Sequence, residues 1–168
     1  CYEDEDAQPW YFKQGKGLNI VLVEMVAAKS AVELKVHRAP WKRCLLEVEN
    51  GQVDGAIAAS YNEERASYSV YPTVLGKLDP SRRIHSDSYS IYRAIGDPVD
   101  WNGRHFSGLN GMVGLPSGYS VGNDLKKLGV KIDDASKTTE NLMLKLTAER
   151  VEAVAALTLE ADQFLKNN

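Results

Sequence analysis

The sequence predicts an α/β fold, because short apolar runs typical of buried strands alternate with segments typical of helices. The first 60 residues follow the order helix, strand, helix, strand, which favours a largely parallel sheet. The second half repeats this alternation, with apolar runs such as "VEAVAAL" between helical segments. The chain has 168 residues, of which 43% are hydrophobic. It can therefore form one sizeable core or two small lobes.

Four elements are predicted in the first 60 residues. Gly17–Ser30 is apolar, rich in helix formers and carries two charges, so it is expected to be a well-buried helix. "VELKVHR", Val32 to Arg38, alternates apolar and polar residues as a strand does. Pro40 suits a helix start, and the following helix runs from Trp41 to a Gly51 cap. Val53–Ala59 is expected to be a short buried strand.

The second half is expected to begin after a polar loop, Gly76–Asp87. Strong alternation predicts a strand at Ser88–Ile95, and "GDPVDWNG" has the composition of turns. The remaining predicted elements are strand Met112–Leu115, a helix to Leu128, strand "VKIDDA", helix "TTENLMLKLTAER", strand "VEAVAAL" and helix "LEADQFLKN". Thr138 or Thr139 is the expected cap of the helix in "TTENLMLKLTAER". The predicted lobes are residues 1–90 and 91–168.

Composition excludes several classes of function. The net charge is −3, and the halves divided at residue 90 carry −2 (11 basic, 13 acidic) and −1 (9 basic, 10 acidic). Neither half has the basic surplus of a nucleic-acid-binding domain. No apolar run reaches the roughly 18 residues that a membrane-spanning helix needs.

The two cysteines, Cys1 and Cys44, are too few for a disulfide scaffold or a metal cage. Either both are unpaired, or they form a single disulfide, which requires an oxidising compartment. A third alternative, a lipid-bearing Cys1, is disfavoured because no linker separates Cys1 from the domain sequence. We predict that they can pair, because Cys1 ends a first strand segment while Cys44 lies early on a helix leading into a neighbouring strand. Such a pair needs Cα atoms within about 7 Å.

Three loop segments carry polar or aromatic groups where an α/β fold binds ligands, beyond the carboxyl ends of strands. Ala59 and Ser60 end a predicted strand, and Arg65 follows with a planar fork that suits a carboxylate. The alternative for Arg65 is a surface ion pair with Glu63 or Glu64.

The second segment, Ser117-Gly118-Tyr119-Ser120, joins a strand to a helix, where backbone amides and two hydroxyls can bind an anion. Such a junction is also a common helix cap. The third segment holds the aromatic residues Trp10, Tyr11 and Phe12. These side chains either line a small-molecule pocket or cover the core.

Catalytic motifs are lacking in the sequence. His37, His85 and His105 do not have metal-ligand spacing, so solvated or structural roles are expected. There is no G-x-S-x-G elbow, phosphate-binding loop or dinucleotide-binding motif. We therefore expect no enzymatic activity, no cofactor and no metal site.

In sequence order, "GKGLNI" and "APWKRCLLEVENGQVDGAIAASYNEERASYSVYP" resemble the first lobe of type 2 periplasmic solute-binding proteins. The nearest group is the polar amino-acid binders of ABC importers (extracellular solute-binding family 3). The segments "LNGMVGLPSGYS" and "LTAERVEAVAAL" resemble parts of the second lobe in that family. The resemblance covers nearly the whole chain and implies two lobes, each a mainly parallel sheet flanked by helices. The family's fold also implies that this chain is incomplete at both ends.

The resemblance further implies a function and a binding site. The protein would capture a small carboxylate-bearing solute, such as an amino acid, in a cleft between lobes that close by hinge motion. The residues implied to bind the solute are Tyr11, Phe12, Trp41, Ala59, Ser60, Arg65, Ser117, Gly118, Tyr119 and Ser120. In the family the arginine holds the ligand carboxylate. The protein would be a periplasmic monomer that delivers solute to a membrane ABC permease.

Two features leave alternatives open. Many amino-acid binders carry an aspartate for the ligand ammonium at the position matched here by Leu157, so a standard α-amino acid is in doubt. The same fold also serves as the ligand-sensing extracellular domain of receptors such as histidine kinases, and a few relatives are dehydratases or are fused to peptidoglycan lyases.

Overall fold

A computed structural model describes residues 1–167 of the chain as two compact units, Cys1–Ser86 and a second unit that begins at Asp87. Its secondary structure is mixed α/β, as the sequence predicted. Within residues 1–167, no helix is both long enough and apolar enough to span a bilayer.

The first unit contains three helices and four very short strands. They are β1 (Tyr2–Glu3), α1 (Leu18–Lys29), β2 (Arg38–Ala39), α2 (Trp41–Glu49), α3 (Glu63–Ala66), β3 (Thr73–Val74) and β4 (Lys77–Leu78), followed by a 3₁₀ turn at Pro80–Arg82. β1 and β2 pair in parallel, and β3 and β4 form an antiparallel hairpin. The second strand of this hairpin, β4, lies in the segment that the sequence predicted as a polar loop.

Helix α1 has the predicted position but not the predicted burial. Only Asn19 and Ile20 of this helix are buried, whereas Leu18, Met25 and Val26 are more than half exposed. An apolar composition indicates that a helix can be buried, but the helix is buried only where another helix or sheet packs against its apolar side chains. The expectation of a well-buried helix is therefore wrong for this structure.

Two strands predicted in the first unit are not formed. Residues 32–37 have no regular structure before β2, and Val32 is largely exposed. The Val53–Ala59 segment is irregular, although its Ile57 amide donates to the Cys1 carbonyl at 2.9 Å. Ala58 has a φ of 61°, in the left-handed region, which interrupts an extended strand.

Helix α2 is correctly predicted and is tied to the start of the chain by a disulfide. Pro40 precedes the helix, and Gly51 follows its Asn50 cap with a φ of 65°. Cys44 on α2 bonds to Cys1, with a Cα–Cα distance of 5.7 Å, which confirms the predicted pairing. Both cysteines are buried, so the bridge forms part of the small core of this unit.

The second unit is built on a four-stranded sheet in the order β5-β10-β8-β9. Its elements are β5 (Tyr89–Tyr92), β6 (Asp100–Trp101), β7 (Phe106–Ser107), β8 (Val113–Pro116), α4 (Val121–Lys127), β9 (Ile132–Ser136), α5 (Thr139–Thr147), β10 (Ala153–Leu157) and α6 (Thr158–Asn167). β8, β9 and β10 are parallel, and β5 runs antiparallel to β10. The predicted elements from residue 112 onward are confirmed.

Two details of the second unit differ from the predictions. β5 is shorter than the predicted strand, since Ile95 lies beyond it and is fully exposed. The "GDPVDWNG" segment is more than a turn, because Asp100 and Trp101 pair with Ser107 and Phe106 in a hairpin. Short hairpins of this kind have too few residues to show an alternating pattern.

Side chains cover both faces of this sheet. Val113, Leu115 and Leu125 form a cluster on the face covered by α4. Leu142, Val154 and Ala161 form the cluster on the other face, covered by α5 and α6. Helix α5 begins at the predicted threonine cap, where the Thr138 hydroxyl accepts a hydrogen bond from the Asn141 amide at 3.2 Å.

A poorly hydrated carboxyl group, Glu160, connects α6 to the start of α5. It lies against Thr139, which is 2% exposed, and burial raises the pKa of Glu160 to about 7. The adjacent polar groups of Thr139 oppose this increase, and the negative charge of Asp87 adds to it. Because the pKa in the folded state exceeds the ordinary value of 4.5, ionisation of Glu160 opposes folding.

We therefore expect stability to fall as the pH rises from about 4.5 to about 7, and E160Q to remove this fall. Between these pH values the unfolded chain has lost the proton that the folded chain keeps, which corresponds to about 3 kcal/mol. Urea unfolding of both proteins at pH 5 and pH 8 measures the effect, with E140Q on the exposed side of α5 as the control. An unchanged pH dependence in E160Q would contradict the assignment.

Candidate functional site

Arg65 is the centre of the polar site in the first unit. It lies in α3, whose first turn is capped by the Asn62 side chain, which accepts a hydrogen bond from the Arg65 amide at 2.7 Å. The Arg65 side chain is only 4% exposed. The side chain is therefore buried rather than at the surface, and its pairing with Glu63 or Glu64 stays an alternative prediction.

Two contacts orient the Arg65 guanidinium. One nitrogen donates to the Ser60 carbonyl at 2.7 Å, and the central carbon lies 5.6 Å from the centroid of the Trp41 ring. The second contact is a cation–π interaction, which holds a guanidinium over the aromatic face. A guanidinium has five N–H donors in a fixed plane, so fixing one end and one face defines where the other donors are directed.

Ser60 links this arginine to a pair of tyrosine rings. Its carbonyl also accepts a hydrogen bond from the Tyr71 hydroxyl at 3.0 Å. The Tyr71 ring meets the Tyr61 ring edge to face, with centroids 5.3 Å apart. The structure therefore brings together three of the predicted site residues, Trp41, Ser60 and Arg65, and adds Tyr71. Ala59 adjoins them in the chain.

Tyr11 and Phe12 lie in a different part of the first unit. The Tyr11 ring stacks on Tyr2 with centroids 5.4 Å apart, and the Tyr11 hydroxyl donates to the Ile57 carbonyl at 2.8 Å. Tyr11 is buried, and this burial raises the pKa of its hydroxyl above the ordinary value. Of the two roles considered for the aromatic segment, covering the core describes Tyr11. The contact of Tyr11 or Phe12 with a solute stays a prediction.

Trp10 belongs to a second stack that sequence reasoning did not find. Its ring lies parallel to that of His85, with centroids 3.9 Å apart, and the His85 Nδ1 lies 3.0 Å from the Asn19 side-chain oxygen. His85 lies 66 residues after Asn19 in the sequence, and no local pattern relates it to Asn19 or Trp10. This contact gives His85 the structural role that was expected for it.

The predicted turn of the second unit follows β8 and leads into α4. Its backbone amides are partly used within the unit: the Ser117 amide donates to the Ser136 carbonyl at 2.8 Å, and the Tyr119 amide donates to the Pro116 carbonyl at 3.2 Å. Gly118 has a φ of 80°, which a side chain would strain. The anion-binding role of this turn stays a prediction. Because two of its amides donate within the unit, the Ser117 and Ser120 hydroxyls would be important donors to an anion.

Tyr89 lies beside this turn and was not predicted as a site residue. Its hydroxyl is 3.5 Å from the Ser120 Oγ, and its ring is edge to face with Tyr119, at a centroid distance of 6.5 Å. The alternation in Ser88–Ile95 predicted a strand, but it could not identify which turn the strand passes. Among residues 1–167, no group of three histidine, cysteine, aspartate or glutamate side chains is arranged to hold a metal ion.

Comparison with protein-family models gives no match, and neither does comparison with curated proteins. Solved structures do match. An ancestral arginine-binding protein bound to arginine superposes with a TM-score of 0.70 at 23% identity, over 99% of this chain and 72% of that chain.

Two further matches have similar values. The amino acid ABC transporter substrate-binding protein AbpA from Streptococcus pneumoniae, bound to L-arginine, has a TM-score of 0.71 at 21% identity, covering 99% of this chain and 70% of its own. A mutant of arginine-bound ArgBP from T. maritima has a TM-score of 0.74 at 19% identity, covering 99% and 76%. The chain therefore has the two-lobed α/β fold of these amino-acid-binding proteins, as the sequence resemblance predicted.

Proposed function

We propose that this protein binds a small carboxylate-bearing solute, of the size of an amino acid, and that Arg65 binds the carboxylate. The observation that carries the proposal is the guanidinium of Arg65, oriented by the Ser60 carbonyl and the Trp41 ring. A planar guanidinium pairs with a carboxylate through two parallel hydrogen bonds. Amino-acid-binding proteins of the same fold support this choice of solute.

Other site residues predicted from the sequence complete the proposal. Ala59 would supply its backbone oxygen and Ser60 its hydroxyl oxygen to a ligand ammonium, and Tyr11 or Phe12 would supply an aromatic contact. The turn of Ser117, Gly118, Tyr119 and Ser120 would supply further polar groups. These roles come from the family resemblance rather than from observed contacts with a solute.

Calorimetric titration tests this function directly. The panel consists of the standard amino acids, simple mono- and dicarboxylates, and the amides of the same amino acids. We expect at least one carboxylate-bearing compound to bind with a micromolar or lower dissociation constant, and the matching amide to bind far more weakly. A panel in which no carboxylate binds, or in which amides bind equally well, would contradict the proposal.

We further propose that binding serves import rather than catalysis, with the protein outside the cytoplasm and a membrane ABC permease as its partner. The Cys1–Cys44 disulfide supports an oxidising compartment, and a solute-binding protein of an ABC transporter has the same fold. The gene sequence that follows Asn168 is the simplest test. A membrane span followed by a signalling domain would contradict import and favour a sensor.

A further inference from the structure

The β3–β4 hairpin of the first unit presents apolar side chains to solvent. All residues of β3 and of β4 are exposed. Leu75, in the turn between the two strands, is 99% exposed. Within residues 1–167 these strands pair only with each other, in a two-stranded sheet. The hairpin therefore adds nothing to the buried core of its unit.

Leu75 also has a backbone conformation that is unfavourable for leucine. Its φ is 50°, and that of Gly76 is 76°. Two consecutive residues with positive φ between paired strands form a type I′ turn, whose first position favours asparagine, aspartate or glycine. In a leucine the Cβ crowds the following carbonyl in this conformation. Neither turn formation nor burial explains a leucine here, whereas a contact with a partner outside the chain would explain it.

Apolar groups lie on both faces of the hairpin as well as at its tip. Val74 is the cross-strand partner of Lys77, and Thr73 is that of Leu78. Directly opposed residues share a face and successive residues alternate, so Val74 and Leu78 lie on opposite faces. Both side chains are more than 40% exposed. A convex tip that is apolar on both faces suits a deformable apolar surface, because a rigid partner would need a matching cavity.

The charged groups beside this tip are mainly basic. Lys77 lies in β4, and Arg82 and Arg83 follow at the end of the 3₁₀ turn. Arg82 is offset by Asp79, which lies 3.2 Å away. Lys77 and Arg83 are exposed, which leaves a local excess of two positive charges in a chain whose net charge is −3. The charge of this surface is therefore complementary to an anionic one.

We propose that the β3–β4 hairpin docks on an anionic lipid surface, with Val74 and Leu75 entering the interface and Lys77 and Arg83 close to the headgroups. Aliphatic side chains flanked by basic residues bind anionic bilayers through hydrophobic and electrostatic attraction together. The hairpin is two residue pairs long, about 7 Å, so its base lies within the Debye length of about 10 Å at 0.1 M salt. This inference goes beyond solute binding and does not depend on it.

Binding through this hairpin is expected to be weak and reversible. A single myristoyl chain gives only marginal membrane binding, and two aliphatic side chains bury less apolar surface than that chain does. Each basic residue near an anionic surface strengthens binding by about fivefold. We therefore expect half of the protein to be bound at roughly millimolar accessible lipid.

Sedimentation with vesicles of two compositions tests the proposal. The whole chain is mixed with vesicles of equal parts phosphatidylglycerol and phosphatidylcholine, or of phosphatidylcholine alone, at low and high salt. We expect binding to the anionic vesicles at low salt. Binding should be at least about fivefold weaker with phosphatidylcholine alone and also at high salt, because both conditions remove the electrostatic attraction.

Two variants separate the apolar and the electrostatic contributions. L75N introduces a residue that a type I′ turn favours, so it should keep or raise the unfolding midpoint while weakening vesicle binding by at least about fivefold. K77E should weaken binding to anionic vesicles by at least about tenfold and leave binding to phosphatidylcholine within about twofold. The matched controls V32N and K35E change an exposed valine and an exposed lysine elsewhere in the first unit, and both should bind like the unchanged protein.

Several results would overturn the lipid assignment. They are no binding to either vesicle, equal binding to both compositions, and L75N binding as tightly as the unchanged protein. A lowered unfolding midpoint in L75N would also count against it, because Leu75 would then stabilise the fold. Self-association without vesicles, seen in sedimentation velocity and lost in L75N, would identify a second copy as the occupant instead. Calorimetry with L75N should show unchanged solute binding, so failure of the proposed function is measured separately.

Discussion

Replacing Arg65 with alanine is expected to weaken binding of a carboxylate-bearing solute by about a hundredfold or more. Truncating one partner of a buried, hydrogen-bonded charge pair costs about 2–5 kcal/mol, since the remaining charge stays desolvated. The Arg65 side chain is 4% exposed, so a carboxylate paired with it is shielded from water as well. Calorimetric titration of the best solute into R65A measures this loss.

Two further variants separate the role of the guanidinium from a loss of folding. R65K keeps the positive charge but lacks the planar fork, and we expect it to bind with intermediate affinity. R82A removes an exposed arginine that pairs with Asp79, and it should bind like the unchanged protein. If R65A gives an unchanged near-ultraviolet circular dichroism spectrum and unchanged affinity, Arg65 does not bind the carboxylate.

The sequence predicts the second unit better than the first, because the elements of the second unit carry local signals. The apolar strand β10 is followed directly by a helical segment, and Thr138 caps α5 with its own side chain. Such features depend on a few adjacent residues. These strands and helix caps can therefore be predicted without knowledge of the tertiary structure.

The first unit depends more on distant contacts. The apolar pattern of α1 is that of a helix that packs on a core, yet exposure of Met25 depends on which elements lie against it. Similarly, Val53–Ala59 has the composition of a strand, but Ala58 adopts a left-handed conformation that composition does not indicate. Tertiary context overrides the local preference in both segments.

In the candidate site, too, features that depend on adjacent residues could be predicted from the sequence, whereas contacts between distant residues could not. Arg65 and Ser60 could be found from the sequence, because they follow an apolar run within a few residues of each other. The contact of Arg65 with Trp41 joins α3 to α2, and that of Tyr89 with Ser120 joins β5 to the turn before α4. No spacing rule relates such residues, so Arg65 and Trp41 were both predicted as site residues but not as a contact, and Tyr89 was missed.

The Cys1–Cys44 disulfide is expected to be a major source of stability for the first unit. That unit has a small core around Tyr2, Tyr11 and Ile20, and α1 leaves much of its apolar surface exposed. A bridge across a sequence separation of 43 residues restricts the unfolded chain, which the loop-closure model values at about 4 kcal/mol. The double variant C1A/C44A should therefore lose about this much free energy of unfolding.

Urea unfolding followed by tryptophan fluorescence measures the loss, and a reducing agent should destabilise the unchanged protein by a similar amount without affecting C1A/C44A. Thiol titration in denaturant without reductant should detect no free thiol; two reactive thiols per chain would contradict the bridge.

Cys44 lies on α2 one turn after Trp41, whose ring supports the Arg65 guanidinium. Loss of the bridge should therefore also weaken solute binding, but less than R65A does, because the guanidinium itself remains.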